Sequence, residues 1–343
     1  MHKRRPRYAG KNPRAFHEKY KELNPERYAS EVEKVLASGK TPAGMHRPIM
    51  VDEVLRVLRP VAGDLAVDCT LGGGGHAQAL LDRVLPGGRL VGLDVDPLEL
   101  PRTERRLRAL GFGPEAFVAR HSTFAGLPQV IAAEGLAGAD VILADLGVSS
   151  MQLDNPDRGF SHKAPGPLDM RMNPSRGITA AQLIERLSEE KLSALLDENA
   201  DEPYADIIAR LLKQQPLWTT DAVGGVVREG LAAALPGLTP SDATLSVRRT
   251  FQALRIAVND EFSVLDALLR SLPQCLLPGG RVAILSFHSG EDRRVKKAFQ
   301  AGRREGAYSE VADDVIRATD EECRANPRAS SAKLRWAVRA SSL

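Results

Sequence analysis

The stretch Asp68-Cys-Thr-Leu-Gly-Gly-Gly-Gly-His76 constrains this chain more than any other. The apolar run 65–69 reads as a buried strand and helical spacing resumes after His76, so a strand ending on an acid turns through four glycines into a helix. Glycine lets the backbone approach a ligand closely, and the free N–H groups of a helix N-terminus favour an anion. The pattern specifies a cofactor site at the carboxyl end of a strand. In a dinucleotide enzyme the anion is a pyrophosphate and in a methyltransferase it is the methionine carboxylate; glycines 72–75 alone do not choose.

The same alternation continues along the chain. Helical periodicity over 48–58 is followed by short apolar runs at 65–69, 90–93, 117–119 and 141–144, each bounded by Gly, Pro or Asp. Strands covered on both faces have this character, and their alternation with helices marks βαβ units and a parallel sheet. The fold class is therefore α/β. Two Leu-Pro-Gly-Gly-Arg segments, 85–89 and 277–281, precede the apolar runs 90–93 and 282–285 and read as helix-to-strand turns. Between 151 and 247 the strand pattern disappears. Residues 180–196, 204–213 and 221–235 carry helical spacing, which continues over 247–272. The expected organisation is an extension over 1–45, an α/β domain from 46–150 and 248–343, and a helical insertion over 151–247.

Charge separates the extension from the rest. The chain carries a net charge of +3, but residues 1–40 hold eleven Lys or Arg against five Glu, which leaves the remainder acidic. Lys3, Arg4, Arg5, Arg7, Lys11, Arg14, Lys19 and Lys21, interleaved with Tyr8, Phe16 and Tyr20, suit phosphates and stacked bases and equally suit a merely solvated tail. No apolar run approaches the roughly 20 residues that span a bilayer, and the N-terminus lacks the apolar stretch of a secretory signal. The three cysteines, Cys69, Cys275 and Cys323, lie far apart, and the seven histidines show no metal spacing with them. A cytoplasmic protein with reduced thiols, no metal and no membrane partner is expected.

Further chemistry-bearing residues fall at the carboxyl ends of the apolar runs, where open α/β sheets bind ligands. Asp94, in Gly92-Leu-Asp-Val-Asp-Pro97, lies about 20 residues past the loop, the spacing of an acid that binds ribose hydroxyls, and suits either cofactor. Ala144-Asp-Leu-Gly-Val-Ser-Ser150 with Gln152 separates the two. A dehydrogenase needs a proton-handling group beside a nicotinamide, whereas amine methylation needs an acceptor that holds the amine and orients its lone pair. Asp145 is suited to be that acceptor; Ser149 and Ser150 are equally suited to capping the turn. Asp157-Arg-Gly-Phe160 and Gly166-Pro-Leu-Asp-Met-Arg-Met172 have the make-up of a base-binding lid, with Phe160 to stack, although Leu168, Met170 and Met172 alternate as core residues do. His288, in Ser286-Phe-His-Ser289, shares a sheet edge with Asp145 if their strands are neighbours; on position alone a lone histidine is more often structural.

Taken together, the run 46–76, Asp145-Leu-Gly-Val-Ser-Ser with Gln152-Leu-Asp154, Arg158-Gly-Phe-Ser161, Gly166-Pro-Leu-Asp-Met-Arg-Met172, Arg249-Thr-Phe-Gln-Ala-Leu-Arg255, Ser286-Phe-His-Ser289 and Asn326-Pro-Arg328 resemble the RsmH (MraW) family. These are 16S rRNA cytidine N4-methyltransferases, and the likeness runs in order over about 46–339. It implies a Rossmann-like, seven-stranded methyltransferase domain with an inserted helical substrate domain, S-adenosylmethionine (SAM) as cofactor, and 16S rRNA of the small ribosomal subunit as partner. The implied target is the N4 of a decoding-centre cytidine, 1402 in standard rRNA numbering. Carried over by position, the SAM contacts are Gly74, Gly75, His76, Asp94, Phe124, Asp145 and Gln152; spacing alone does not reach Phe124. Asp145, Phe160 and His288 are the expected catalytic residues, and a homodimer is compatible with the likeness.

The departures from the family pattern are the extension before residue 46, His162 for Phe and Pro165 for Asp in the lid, Asn173 for Asp after it, and Gly290 for Leu after Ser-Phe-His-Ser. They fall where substrate would sit, as in a divergent second copy with a shifted target. Other acceptors within the same fold are an amine of another RNA, of DNA or of protein, and a SAM-binding assembly factor without catalysis is a further reading. The Asp-Pro-Pro-Tyr type of amino-methyltransferase motif is missing at 145–148, which counts against DNA.

Overall fold

The computed structural model describes residues 48–341. The basic extension, with the cations and aromatics singled out in it, and His46 lie outside the described residues. Seven strands form one sheet: β1 (Leu65–Asp68), β2 (Arg89–Asp94), β3 (Phe117–His121), β4 (Ala139–Asp145), β5 (Leu276–Ser286), β6 (Tyr308–Val311) and β7 (Lys333–Arg339). Their order is β3-β2-β1-β4-β5-β7-β6. The first five are parallel, and β7 runs antiparallel between β5 and β6. The α/β class and the strand number agree with expectation; the antiparallel edge has no signal in the sequence.

Period-two burial of the strands sets the layers. Ala66, Leu90, Val141, Leu143, Ala283 and Leu285 face one apolar core with α1 (Val51–Leu58), α2 (Gly75–Val84) and α3 (Leu100–Ala109). Their neighbours Val67, Val91, Ile142, Ala144, Val282 and Ile284 face the opposite core. That second core is covered by α4 (Leu127–Ala133), by the 15-residue helix Glu261–Cys275 and by the helix Ser289–Arg304. Each large apolar side chain taken out of water here contributes about 1.5–3 kcal/mol. Both faces of every central strand are covered, which is why the strands read as unbroken apolar runs.

No strand joins the sheet between β4 and β5. The short α5 (Ser150–Asp154) follows β4, and then α6 (Ala180–Arg186), α7 (Glu189–Ala200), α8 (Ala205–Lys213), α9 (Thr220–Ala234) and α10 (Pro240–Asn259) enclose a core of their own with Leu168, Met170, Leu196, Ile208 and Val227. The alternating lid residues are thus core: Leu168 and Met170 are buried, and Met172 packs against them. Helix α11 (Glu261–Cys275), β5 and α12 (Ser289–Arg304) return the chain to the sheet.

Three sequence expectations are corrected. The single helix over 180–196 is two, because Ser188 caps a new start by accepting Lys191 N at 3.3 Å after an extended Leu187. The helical stretch 247–272 is also two: α10 begins at Pro240 behind the Thr239 cap, and Asp260, in the left-handed region at φ 51°, breaks it from α11. The second Leu-Pro-Gly-Gly-Arg is not a turn before a strand. It lies within β5, bulging out opposite Asp140, since Ala139 pairs with Leu276 and Val141 with Arg281. Among the described residues no helix is long and apolar enough to cross a membrane.

Candidate active site

Strand order reverses between β1 and β4, and an open α/β sheet binds its ligand in the crevice beyond such a point. The glycine loop fills one side of it. Gly72 and Gly74 have φ of +45° and +72°. A Cβ on Gly74 would stand 2.7 Å from Thr103 Cγ2 and 2.8 Å from Arg106 Nη2, and one on Gly75 would stand 2.9 Å from Pro48 Cγ. Helix α3 draws the loop carbonyls toward itself: the Thr103 hydroxyl donates to Gly72 O, and Arg106 Nη2 donates to Gly73 O at 2.7 Å. The N-terminus of α2 has no side-chain cap. Its free N–H groups are thus available to an anion such as a carboxylate. Sequence reasoning does not find Thr103 and Arg106; their only signal is a three-residue spacing on one helix face.

Asp94 ends β2 and organises both neighbouring turns. Its Oδ2 accepts Gly72 N at 2.7 Å and its Oδ1 accepts Asp96 N at 2.8 Å. Burial pushes its carboxyl up to about 6. Asp96, fully buried and not foreseen, accepts from Gln152 Nε2 at 2.8 Å and from Arg158 Nη1 at 2.7 Å on the same Oδ2. Gln152 also accepts Ser149 N at 3.0 Å while Ser149 Oγ accepts Gln152 N at 3.1 Å, so Ser149 does cap α5. Both ends of the Gln152 amide are therefore engaged by the protein. Arg158 Nη2 reaches Arg171 O and Met172 O at 3.0 and 2.8 Å, tying the lid to the cofactor strand.

Asp145 ends β4 beside the loop. Its backbone N donates to Thr70 Oγ1 at 2.6 Å, and its Oδ2 lies 3.6 Å from His76 Nδ1. His76 Nε2 is 2.9 Å from Ile49 O; a carbonyl only accepts, so Nε2 carries the proton and Nδ1 turns a lone pair toward Asp145. Burial holds the His76 imidazole below its ordinary range, the neutral form. The Asp145 side chain is 29% exposed, yet Oδ1 is shut off from water and has no hydrogen-bond partner among the described residues. Burial, followed by the negative charge of Glu291, pushes the Asp145 carboxyl up to about 7. Asp68, also beside Asp145, is raised to about 6 by burial.

His288 falls on the expected sheet edge, since β4 and β5 are neighbours with Asp145 opposite Leu285. Its Nε2 stands 3.2 Å from Glu291 Oε1, and Glu291 Oε2 accepts Phe287 N at 2.9 Å. Burial opposes the Glu291 charge, but the adjacent His288 ring and the charge of Arg255 keep its carboxyl below the usual range. Arg255 is itself bidentate to Glu261, 2.9 Å on each arm. His288 thus reaches Asp145 through Glu291 rather than by contact, and this acid two residues past the motif, not the motif's histidine, is the group that bears on the site.

The structure gathers Gly74, Gly75, His76, Asp94, Asp145 and Gln152 around the crevice. Phe124 opens a turn after β3, half-buried against the second core. Phe160 is not a displayed stacking face: it is 6% exposed, packed in the helical core with Arg158 Cζ 5.8 Å from its ring centre. The Asn326-Pro-Arg328 motif closes on α5, where the Arg328 guanidinium donates to Ser150 Oγ and to Asp154 Oδ1.

Comparison with known proteins agrees with this geometry. The model of the MraW methylase family matches residues 43–340. Ribosomal RNA small subunit methyltransferase H 1 of Lachnoclostridium phytofermentans is 48% identical over 345 residues, covering 99% of this chain and 94% of its own. Ribosomal RNA small subunit methyltransferase H 2 of Alkaliphilus metalliredigens is 48% identical, with 98% and 97% covered. Ribosomal RNA small subunit methyltransferase H of Anaeromyxobacter sp. (strain K) is 42% identical, with 84% and 96% covered. The two numbered relatives thus align with most of what precedes residue 43 as well. With a glycine cradle that a Cβ would fill, an acid ending β2 and a carboxyl ending β4 whose Oδ1 has no partner among the described residues, the chain belongs to the MraW methylase (RsmH) family of SAM-dependent methyltransferases.

Proposed function

We propose that the enzyme methylates the exocyclic N4 of a cytidine in 16S rRNA, in the decoding centre of the small ribosomal subunit, and that it works in the cytoplasm. The relatives' names supply the small-subunit rRNA. The observation that carries the choice of an amine is Asp145, whose Oδ1 is buried without a partner. A buried polar atom left unpaired costs about 1–3 kcal/mol, which a hydrogen bond from the substrate recovers.

When bound, SAM supplies an electrophilic methyl group. The N–H groups at the start of α2 would hold its carboxylate, Asp94 its ribose, and Phe124 would flank its adenine; Gln152 acts from behind, fixing Asp96 and the turn at Ser149. The cytidine amine is a weak nucleophile because its lone pair is delocalised into the ring. Asp145 accepts one N–H, orients the lone pair, and takes the proton that nitrogen must lose as it gains the methyl. A carboxyl near 7 suits that exchange at neutral pH. His76 faces the same carboxyl, and His288 acts by holding Glu291. Phe160 supports the lid from inside the helical core, and the helical insertion, continued by α10 to Asn259, presents the RNA.

Asp145→Asn keeps the shape and removes the acceptor. Its kcat for methyl transfer from labelled SAM to small subunits is expected to fall at least about a hundredfold, well beyond any loss of SAM affinity. Wild-type kcat in the variant would overturn the assignment, and label at a cytidine position other than N4 on mapping of the rRNA would overturn the target.

A further inference from the structure

If the lid's own phenylalanine is buried, another group must meet the bases. Among the described residues the exposed large apolar side chains are Val61, Leu98, Leu110, Trp218 and Leu245, and the one aromatic is Trp218, 59% exposed. Its position is built. Trp218 O accepts Leu168 N at 2.8 Å, Thr220 N donates to Gly166 O at 2.9 Å, and Thr220 Oγ1 donates to Ala164 O at 2.9 Å. The indole is therefore carried on backbone clamped to the loop that bears His162 and Lys163.

The same loop collects positive charge. The His162 ring packs edge-on to Phe251 of α10, 5.6 Å between centres, one turn from Arg248. Burial, then Arg248, Lys163 and Arg228, hold the imidazole below its ordinary range, so cations from α10, α9 and the loop itself converge on it. None of Lys163, Arg228 and Arg248 has an ion-pair partner among the described residues. Arg248 also lines a shallow, open surface depression with Ser241, Thr244 and Leu245 of the same helix. Unpaired cations around His162, on the loop whose backbone also clamps the segment carrying an exposed indole, supply the two groups that hold single-stranded nucleic acid, the ring stacking on a base and the cations taking phosphates.

We propose that this face is an RNA-docking surface in which Trp218 stacks on an unpaired base while Lys163, Arg228 and Arg248 take the neighbouring phosphates. The proposal rests on the rRNA assignment above and adds where the RNA is gripped.

The test uses the full chain and a small-subunit rRNA fragment that wild type methylates. Trp218→Ala should raise KM for RNA about tenfold with a much smaller change in kcat and none in SAM affinity, and Trp218→Phe should restore most of the loss. Arg228→Ala combined with Arg248→Ala should flatten the logarithmic salt dependence of RNA affinity by about 0.7–0.9 for each phosphate that is no longer neutralised. The chain has two tryptophans, so in a Trp336→Phe background RNA should quench the emission of Trp218. Wild-type KM and salt slope in the variants, with no quenching, would overturn the docking face. Failure of wild type itself to methylate any rRNA fragment would instead overturn the assignment on which it rests.

Discussion

A carboxyl held near 7 stops accepting protons over a range in which an ordinary aspartate is still ionised. If Asp145 is the proton acceptor, kcat should fall as pH drops through about 7, where its protonated form takes over. The groups facing it are Asp68 on β1, His76 on α2 and Glu291 on α12. Burial and the like charge of Glu291 both raise the Asp145 carboxyl, so Glu291→Gln removes an upward push and moves the acid limb of the kcat profile to lower pH, by about a unit or less. An unshifted limb in that variant would separate Glu291 from the chemistry. Asp94 and Asp145 are legible in sequence because each ends an apolar run where α/β sheets bind ligands. Thr103, Arg106, Asp96 and Glu291 are not, because each acts through a contact that only packing makes. Phe160 misleads for the same reason: an aromatic in a Gly- and Pro-rich loop looks displayed until the core beneath it is seen.

At the scale of the element, the glycine loop joins β1 to α2 and is fitted against α3. Gly74→Ala would force a left-handed residue, a strain of about 1–2 kcal/mol, and press its Cβ onto Thr103 and Arg106. SAM affinity by calorimetry is expected to fall at least about tenfold, some 1.4 kcal/mol. Gly63→Ala is the control: its φ is +94° with nothing within 4 Å of the added Cβ, so it bears the strain and leaves SAM binding intact. The helices show the opposite pattern of legibility. Their existence follows from periodicity, but the breaks at Ser188 and Asp260 do not, because apolar spacing runs through both and only the local cap or the left-handed residue interrupts it. The second Leu-Pro-Gly-Gly differs from the first because β4 lies beside it and recruits its start into the sheet.

Across the whole molecule, Arg158 joins the helical core to the cofactor strand. Asp96 is buried with Arg158 as its ionic partner, and stranding such a charge costs about 3–5 kcal/mol. Arg158→Ala should show a loss of that order in denaturant unfolding, while Arg210→Ala, whose pair with Glu189 is exposed, should lose less than about 1 kcal/mol. Helix α10 is the other connection. At 1.5 Å per residue its 20 residues make a strut of about 30 Å. Arg248 and Phe251 on it meet the lid loop, and Arg255, two turns beyond Arg248, pairs with Glu261 and bears on Glu291. The residue that the lid loop packs on and the Arg255–Glu261 pair are thereby carried on one helix with no break before Asp260.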